Sequence, residues 1–486
     1  MDKDLLSIQQ VRVLVKAAKE AQAIYANFTQ EQVDKVVKAV SMEVRKHAEL
    51  LAKMANKETG FGKWEDKVIK NKFASIAVYD YIKDMKTVGI LNESDTLIEV
   101  GVPVGVVAAL IPSTNPTSTV IYKTLISLKA GNAIVISPHP NAKQCIIETV
   151  EILRKAAMDA GAPEGLISVI DIPTMEATSE LMKHKDTALI LATGGEAMVR
   201  AAYSSGTPAI GVGPGNGPAY IEKTADVHQA VKRIMDSKTF DNGVICASEQ
   251  SVIVEPANKQ AVMEEFRKQG GYFLTPEQSE KLGKFILRAN GTMNPQIVGK
   301  DAQTLAKLAD IQIPEGTRVL LSEQTTVSKL NPYSREKLTV ILAFYTAADS
   351  DAACKLAIEL LMNEGKGHTM IIHTKDKDIL REFALKKPVS RFLVNTPGSL
   401  GGIGASTELA PALTLGCGAV GGSSTSDNIT PMNLINIRKV GIGIKELDDI
   451  RRESGETTSC CCSGGGTDSL DIEALVRKVI AQMSKN

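Results

Sequence analysis

Nothing in this sequence is long and apolar enough to cross a bilayer as a helix. The most apolar stretch, Val100 to Pro112, is short and interrupted by glycine and proline, far from the ~20 residues that a span requires. Neither sign of charge is in excess. Lys plus Arg and Asp plus Glu number 56 each, and no basic run breaks the balance, so neither nucleic acid nor another polyanion is expected as a partner. The seven cysteines lack a disulfide-framework spacing, which fits a reducing compartment. Their one cluster, Cys460-Cys461-Cys462, has no partner pair to complete a tetrahedral site, and no metal is expected. The start, Met1-Asp2-Lys3-Asp4, leads into a polar, helix-patterned segment rather than a leader, so we expect a cytoplasmic protein.

What is present is enough for large cores. With 486 residues, 43% hydrophobic and 23% charged, the chain reads as globular and divides into two or three domains. Residues 7 to 57 carry helical periodicity, with Val11, Val13, Leu14, Ala17 and Ala18 as one example. From Gly105 the pattern changes to short apolar runs alternating with amphipathic stretches: Gly105 to Ile111, Ala133 to Ser137, Leu166 to Asp171, Ala188 to Ala192 and Ala209 to Val212. That alternation predicts right-handed crossovers and a doubly wound parallel α/β sheet. Such sheets bind ligands at the carboxyl ends of their strands.

Two of the turns at those ends are informative. Thr193-Gly194-Gly195 joins a strand to a helix, where glycines admit a close ligand and free helix amides favour phosphate. Ser137-Pro138-His139-Pro140 stops a strand abruptly before a helix predicted from Asn141. Gly211-Val212-Gly213-Pro214-Gly215-Asn216-Gly217 has glycine at every second position. It fails the dinucleotide fingerprint, because Asn216 occupies the last glycine's place, and reads as a close-approach loop. In "FDNGVICASEQ", Cys246 falls between an Asp-Asn-Gly turn and a strand-like run. A cysteine there is either a packed interior residue or a nucleophile.

Those stretches, with "IPSTNPTS", "REKLTVILAFY", "GKGHT" and "LTLGCGAVGGSSTSDNITPMNLINIRKVG", occur in an order that resembles CoA-acylating aldehyde dehydrogenases. The likeness is to the aldehyde dehydrogenase half of bifunctional aldehyde-alcohol dehydrogenases, over roughly residues 5 to 450. An iron-dependent alcohol dehydrogenase half is not expected here. The resemblance implies an α/β aldehyde dehydrogenase fold: a Rossmann-like cofactor domain (1–94 and 107–238), an α/β catalytic domain (239–425) and a small β oligomerisation element (95–106 and 426–452).

It also implies roles. Cys246 attacks the aldehyde as thiolate, and the resulting thiohemiacetal loses hydride to a nicotinamide, leaving an acyl thioester. Asn115, with the backbone N–H of Cys246, makes the oxyanion hole; an ordinary N-cap is the other reading of Asn115. Glu336 holds the nicotinamide ribose, or else is a solvated charge beside Lys337. Ser137, Pro138, His139, Pro140, Thr193, Gly194, Gly195 and Gly213 complete the cofactor contacts. For His368 two readings stay open, assistance in thiolate formation or transfer and a structural hydrogen bond. Cys145 and Cys354 read as core, and Cys417 stays undecided.

Hydrolytic relatives carry a Glu where this sequence has Gly213, so no base is left to activate water. Coenzyme A, a more acidic and more nucleophilic thiol, needs less help. The expected reaction is NAD-dependent conversion of a short aldehyde, acetaldehyde or propionaldehyde, to its acyl-CoA. Sulfoacetaldehyde or succinate semialdehyde as substrate, a hydrolytic dehydrogenase and a silent nucleotide-binding scaffold are the alternatives. NADP is disfavoured because "SPHP" offers no basic partner for a 2′-phosphate. A homo-oligomer, dimer or tetramer, is expected. Residues 453–468 read as a linker and 469–484 as an amphipathic helix with Ile472, Leu475, Val476, Val479, Ile480 and Met483 on one stripe. This tail is similar to encapsulation peptides, with a microcompartment shell protein as the implied partner; docking on its own enzyme or pairing with a sister tail is the other reading.

Overall fold

The computed structural model describes residues 2–455; the linker and terminal helix predicted beyond them lie outside the described residues. The opening segment is three helices, Lys3–Tyr25, Gln30–Lys46 and Ala48–Thr59. A capping box starts the second, with Thr29 and Gln32 exchanging side-chain and backbone bonds, and left-handed Gly60 (φ 67°) ends the third. Of the stripe chosen from sequence, Val13 is 55% exposed while Val11 and Ala18 are buried, and Val15, outside that choice, is buried with them. Those three recur at i, i+4 and i+7, and Val13, two residues on, points away from that face.

Five parallel strands follow, in the order Ile167–Val169, Ala133–Pro138, Val106–Ile111, Thr187–Thr193, Ala209–Val212. The chain builds outward on one side of Val106–Ile111 and then on the other, so the topological switch lies between Val106–Ile111 and Thr187–Thr193. Helix Pro116–Lys129 is buried along its whole length. The predicted helix from Asn141 begins two residues later, at Lys143, because Pro140–Ala142 forms a 3₁₀ turn.

A second sheet has seven parallel strands ordered Gly271–Phe273, Val319–Glu323, Ile341–Thr346, Glu249–Val254, Gly217–Ile221, Gly367–His373, Val389–Val394. Strand Gly217–Ile221 pairs here, so the chain changes sheets at residues 213–216. Each sheet has its own apolar cluster. Strands Gly89–Glu93, Leu97–Pro103 and Ile435–Gly441 make a small third sheet. The described residues divide into two compact units, one of residues 2–91 and 99–438, the other of residues 92–98 and 439–455.

Candidate active site

A cavity of about 860 Å³ opens at the topological switch of the five-stranded sheet. Ser137, Pro138, His139, Pro140, Thr193, Gly194, Gly195 and Gly213 all line it, as do Asn115, Cys246 and Glu336. Of the catalytic and cofactor residues expected from the sequence, His368 is the one that does not.

Cys246 sits on a turn just before strand Glu249–Val254, at the amino end of the seven-stranded sheet. The turn behind it is tight: Asp241 and Asn242 are left-handed (φ 49° and 51°), and Gly243 has φ 76°. A Cβ on Gly243 would lie 2.8 Å from the Thr339 carbonyl oxygen, so the glycine is needed for close approach as well as conformation. Cys246 keeps part of its surface open to the cavity, yet protein surrounds it. Burial, and next the nearby Glu336 carboxyl, push its thiol up to about 12.

Asn115 precedes helix Pro116–Lys129 but makes no side-chain cap bond. Its Oδ1 instead accepts from Lys70 Nζ at 2.6 Å. That contact orients the amide, because an ammonium only donates, and it leaves Nδ2 available to a substrate oxygen. Lys70, which sequence reasoning missed, also donates to Asp241 Oδ2 at 2.5 Å and to the Val244 carbonyl at 2.8 Å. Asp241 receives Lys67 Nζ at 2.9 Å as well. The turn before the cysteine thereby carries the anchor of the amide. Burial lowers Lys70 to about 8.

Glu336 is buried, and so is Lys337, whose Nζ donates to the Tyr333 and Arg335 carbonyls at 2.7 and 2.6 Å. The solvated-charge reading therefore fails. Glu336 Oε1 accepts from the Gly215 N–H at 2.8 Å. Burial, then the Glu364 charge, raise its carboxyl to about 8. Gly215 is fixed for another reason: a Cβ there would lie 1.9 Å from the Cys246 carbonyl oxygen and 3.4 Å from His368 Cε1. Gly215, Cys246 and His368 thus converge at one point.

His368 is buried and held neutral, burial pushing it well below the usual imidazole range. Its Nδ1 pairs with Thr369 Oγ1 at 2.9 Å, and Nε2 has no partner within hydrogen-bonding distance. Arg391, also missed, is buried and donates to the His368 and Gly416 carbonyls at 3.0 and 2.7 Å. Cys145, Cys354 and Cys417 are buried.

The cavity fits a dinucleotide. A Cβ at Gly195 would meet nothing within 4 Å, and one at Gly194 would reach only Met198, 3.6 Å away. These glycines leave open a space that side chains would fill, at the start of helix Glu196–Tyr203. Among the described residues no group of three or more His, Cys, Asp or Glu is placed to hold a metal ion, and no helix is long and apolar enough to cross a membrane.

Residues 5–340 match the model of the aldehyde dehydrogenase family. Over 441 residues the chain is 48% identical to the bifunctional aldehyde-alcohol dehydrogenase AdhE of Escherichia coli (strain K12), covering 89% of this chain but only 49% of that protein. The chain thus spans about half the length of such curated relatives. A probable aldehyde dehydrogenase from Listeria monocytogenes EGD-e is 64% identical, with a TM-score of 0.92 over 93% of this chain and all (100%) of that one. A propionaldehyde dehydrogenase from the fucose utilisation microcompartment of Clostridium phytofermentans is 31% identical (TM-score 0.82; 89% and 97% covered). One from Rhodopseudomonas palustris, solved with bound CoA and an acylated cysteine, is 28% identical (TM-score 0.82; 89% and 97% covered). The turn that carries Cys246, the anchored Asn115 amide and these likenesses agree: the chain belongs to the aldehyde dehydrogenase family.

Proposed function

We propose that the chain converts a short uncharged aldehyde, acetaldehyde or propionaldehyde, to its acyl-CoA through a thioester on Cys246, with NAD as hydride acceptor. The observation that supports this reading is that the cavity wall, among the described residues, holds no carboxylate placed for activating water. Glu336 is the one acidic residue lining the cavity among the described residues, and it is tied to the Gly215 N–H. At Gly213, where hydrolytic relatives carry their carboxylate, a Cβ would meet nothing within 4 Å. A thiol nucleophile needs less activation than water, and the Rhodopseudomonas palustris relative was solved with CoA and an acylated cysteine.

The chain's own groups divide the work. Cys246 forms the bond to the carbonyl carbon. Asn115 Nδ2 and the Cys246 N–H receive the oxygen's developing charge, a donor pair worth most in a water-poor cavity. Glu336 takes the ribose hydroxyls, and Thr193, Gly194, Gly195 and the Ser137 to Pro140 turn take the rest of the dinucleotide. NAD, when bound, supplies the hydride acceptor. His368, neutral and with a free Nε2, takes a proton during thiolate formation or transfer. Lys70 is the one Lys or Arg in the cavity wall, and three acceptors already occupy it. Sulfonate or carboxylate substrates, and a 2′-phosphate, find no free cation among the described lining residues. This supports an uncharged aldehyde and NAD.

The chain is proposed to assemble as a homo-oligomer through the third sheet, where Ile437 and Val440 are exposed. The tail is proposed to dock on a microcompartment shell. Fusing residues 467–486 to a fluorescent protein in a cell making the cognate shell tests the docking: no gain of shell association over an Ile472→Asp control refutes it. The main reading is tested by incubating the protein with acetaldehyde and NAD+, with and without CoA, and following the reduced cofactor. Acyl-CoA formation dependent on CoA is expected; turnover indifferent to CoA overturns it.

A further inference from the structure

Outside the catalytic cavity, two reactive side chains meet more closely than a hydrogen bond allows. Cys354 is buried on helix Ser350–Asn363, and Lys387 is 8% exposed at the C-terminal end of helix Lys377–Lys386. Lys387 Nζ lies 2.5 Å from Cys354 Sγ and 3.2 Å from the Cys354 carbonyl oxygen. Charge-assisted N–H···O bonds span about 2.7–2.9 Å, and sulfur is a larger atom than oxygen. A hydrogen-bonded ammonium would therefore stand well beyond 2.5 Å, while a direct N–S bond would be much shorter. A single oxygen between the two atoms suits the separation. The amine also faces an aromatic ring, its nitrogen standing 3.9 Å from the Phe383 ring centroid.

We infer that Cys354 and Lys387 are the site of an oxidative N–O–S crosslink between these two helices, formed with dioxygen. In the reaction the S–H bond, one N–H bond and the O–O bond break, and S–O and N–O bonds form. Sulfur and nitrogen each give up an electron pair, and dioxygen accepts both pairs. One of its oxygens becomes the bridge; the other leaves as water with the two displaced protons. Burial lowers the Lys387 pKa, which favours the proton-free amine that such chemistry requires. Dithiol reduction returns the thiol and the amine and releases the bridge oxygen as water, placing the link on the reversible rungs of cysteine oxidation. The link would brace helix Ser350–Asn363 against the start of strand Val389–Val394, the strand that carries Arg391 to the His368 carbonyl.

Intact-mass spectrometry of the full chain purified under air, before and after dithiothreitol, reads the modification directly. The expected result is a gain of one oxygen with loss of two hydrogens, reversed by the reductant, and a digest containing a peptide pair joined through Cys354 and Lys387. Cys354→Ser and Lys387→Arg should each abolish it, and air oxidation should raise the thermal midpoint of the parent alone. Because the mass is read on the parent chain, misfolding of a variant cannot decide the outcome. An unchanged mass under air overturns the inference. So does a gain of oxygen without hydrogen loss, which marks a sulfenic acid, or hydrogen loss without oxygen, which marks a disulfide.

Discussion

Replacing Lys70 by Met tests whether the orientation of Asn115 is set from behind. Methionine nearly matches the lysine in length and removes the three bonds of Nζ, to Asn115 Oδ1 (2.6 Å), Asp241 Oδ2 (2.5 Å) and the Val244 carbonyl (2.8 Å). Removing one partner of a buried ion pair typically costs about 3–5 kcal/mol. Here Asp241 keeps Lys67 Nζ at 2.9 Å and the Lys63 N–H at 2.8 Å, so a loss at or below the lower end of that range, about 2–3 kcal/mol, is expected. The catalytic effect is bounded separately. Deleting an oxyanion donor outright costs about 10²–10³ in rate; an amide that is present but unanchored should cost less, about 10-fold to 100-fold.

Rate and stability can be separated by a double-mutant cycle. If Lys70 acts through Asn115, adding Lys70→Met to Asn115→Ala should leave kcat at the Asn115→Ala level, with the coupling equal to the whole Lys70 effect. The assay is acetaldehyde oxidation with saturating cofactor and CoA, with urea midpoints measured in parallel. Independent, multiplicative losses of kcat would show that Lys70 serves only to hold the Asp241 turn, and would refute the reasoning.

Cys246→Ala should abolish aldehyde oxidation while leaving cofactor binding by fluorescence titration intact; residual turnover above about one per cent of the parent would refute its role as nucleophile. With the thiol pushed up to about 12, alkylation of the protein alone by iodoacetamide should rise about tenfold per pH unit from pH 7 to 9, and a plateau in that range would show a pre-formed thiolate. Gly213→Glu should fold and yield some acid without CoA, whereas Gly215→Ala, whose Cβ would stand 1.9 Å from the Cys246 carbonyl oxygen, should lose activity; equal tolerance at both positions would contradict the loop geometry. His373, buried and held down to about 3, stabilises the fold fully above its unfolded pKa of about 6.5 and progressively less as pH falls from there toward 3. That loss amounts to about 2 kcal/mol at pH 5, so the urea midpoint should fall between pH 7.5 and 5, and a His373→Leu variant with the same fall would disprove the assignment.

The cavity wall was largely legible in the sequence because its residues follow local rules. Gly194 and Gly195 end a strand and start a helix, and the Ser137 to Pro140 turn stops one; both signals are short-range. Lys70 was hidden by an inverted pattern. In helix Trp64–Lys72 the apolar Ile69 is 53% exposed while Lys67, Lys70 and Asn71 are buried, so hydrophobic periodicity places the wrong face inside. What turns that face inward is the buried Asp241 carboxylate, far along the chain. Arg391 was hidden for a related reason. Its guanidinium is satisfied largely by backbone carbonyls, including those of His368 and Gly416, and a sequence gives no sign of carbonyl acceptors.

The rule that parallel sheets bind ligands at their carboxyl ends found the Ser137 to Pro140 and Thr193 to Gly195 side of the cavity wall but not the Cys246 side. Cys246 stands at the amino end of the seven-stranded sheet, so the cavity lies between opposite ends of two sheets. The Gly211 to Gly217 loop connects them, leaving strand Ala209–Val212 of one and entering strand Gly217–Ile221 of the other. Its glycines have unequal tasks. Gly215 must lack a side chain for the Cys246 carbonyl to pass, and its N–H holds Glu336. At Gly213 no packing forbids a side chain. On the proposed chemistry, the choice between water and a thiol as acyl acceptor is set at Gly213 with the fold left alone, because the constraint that packing imposes on this loop falls two residues later, at Gly215.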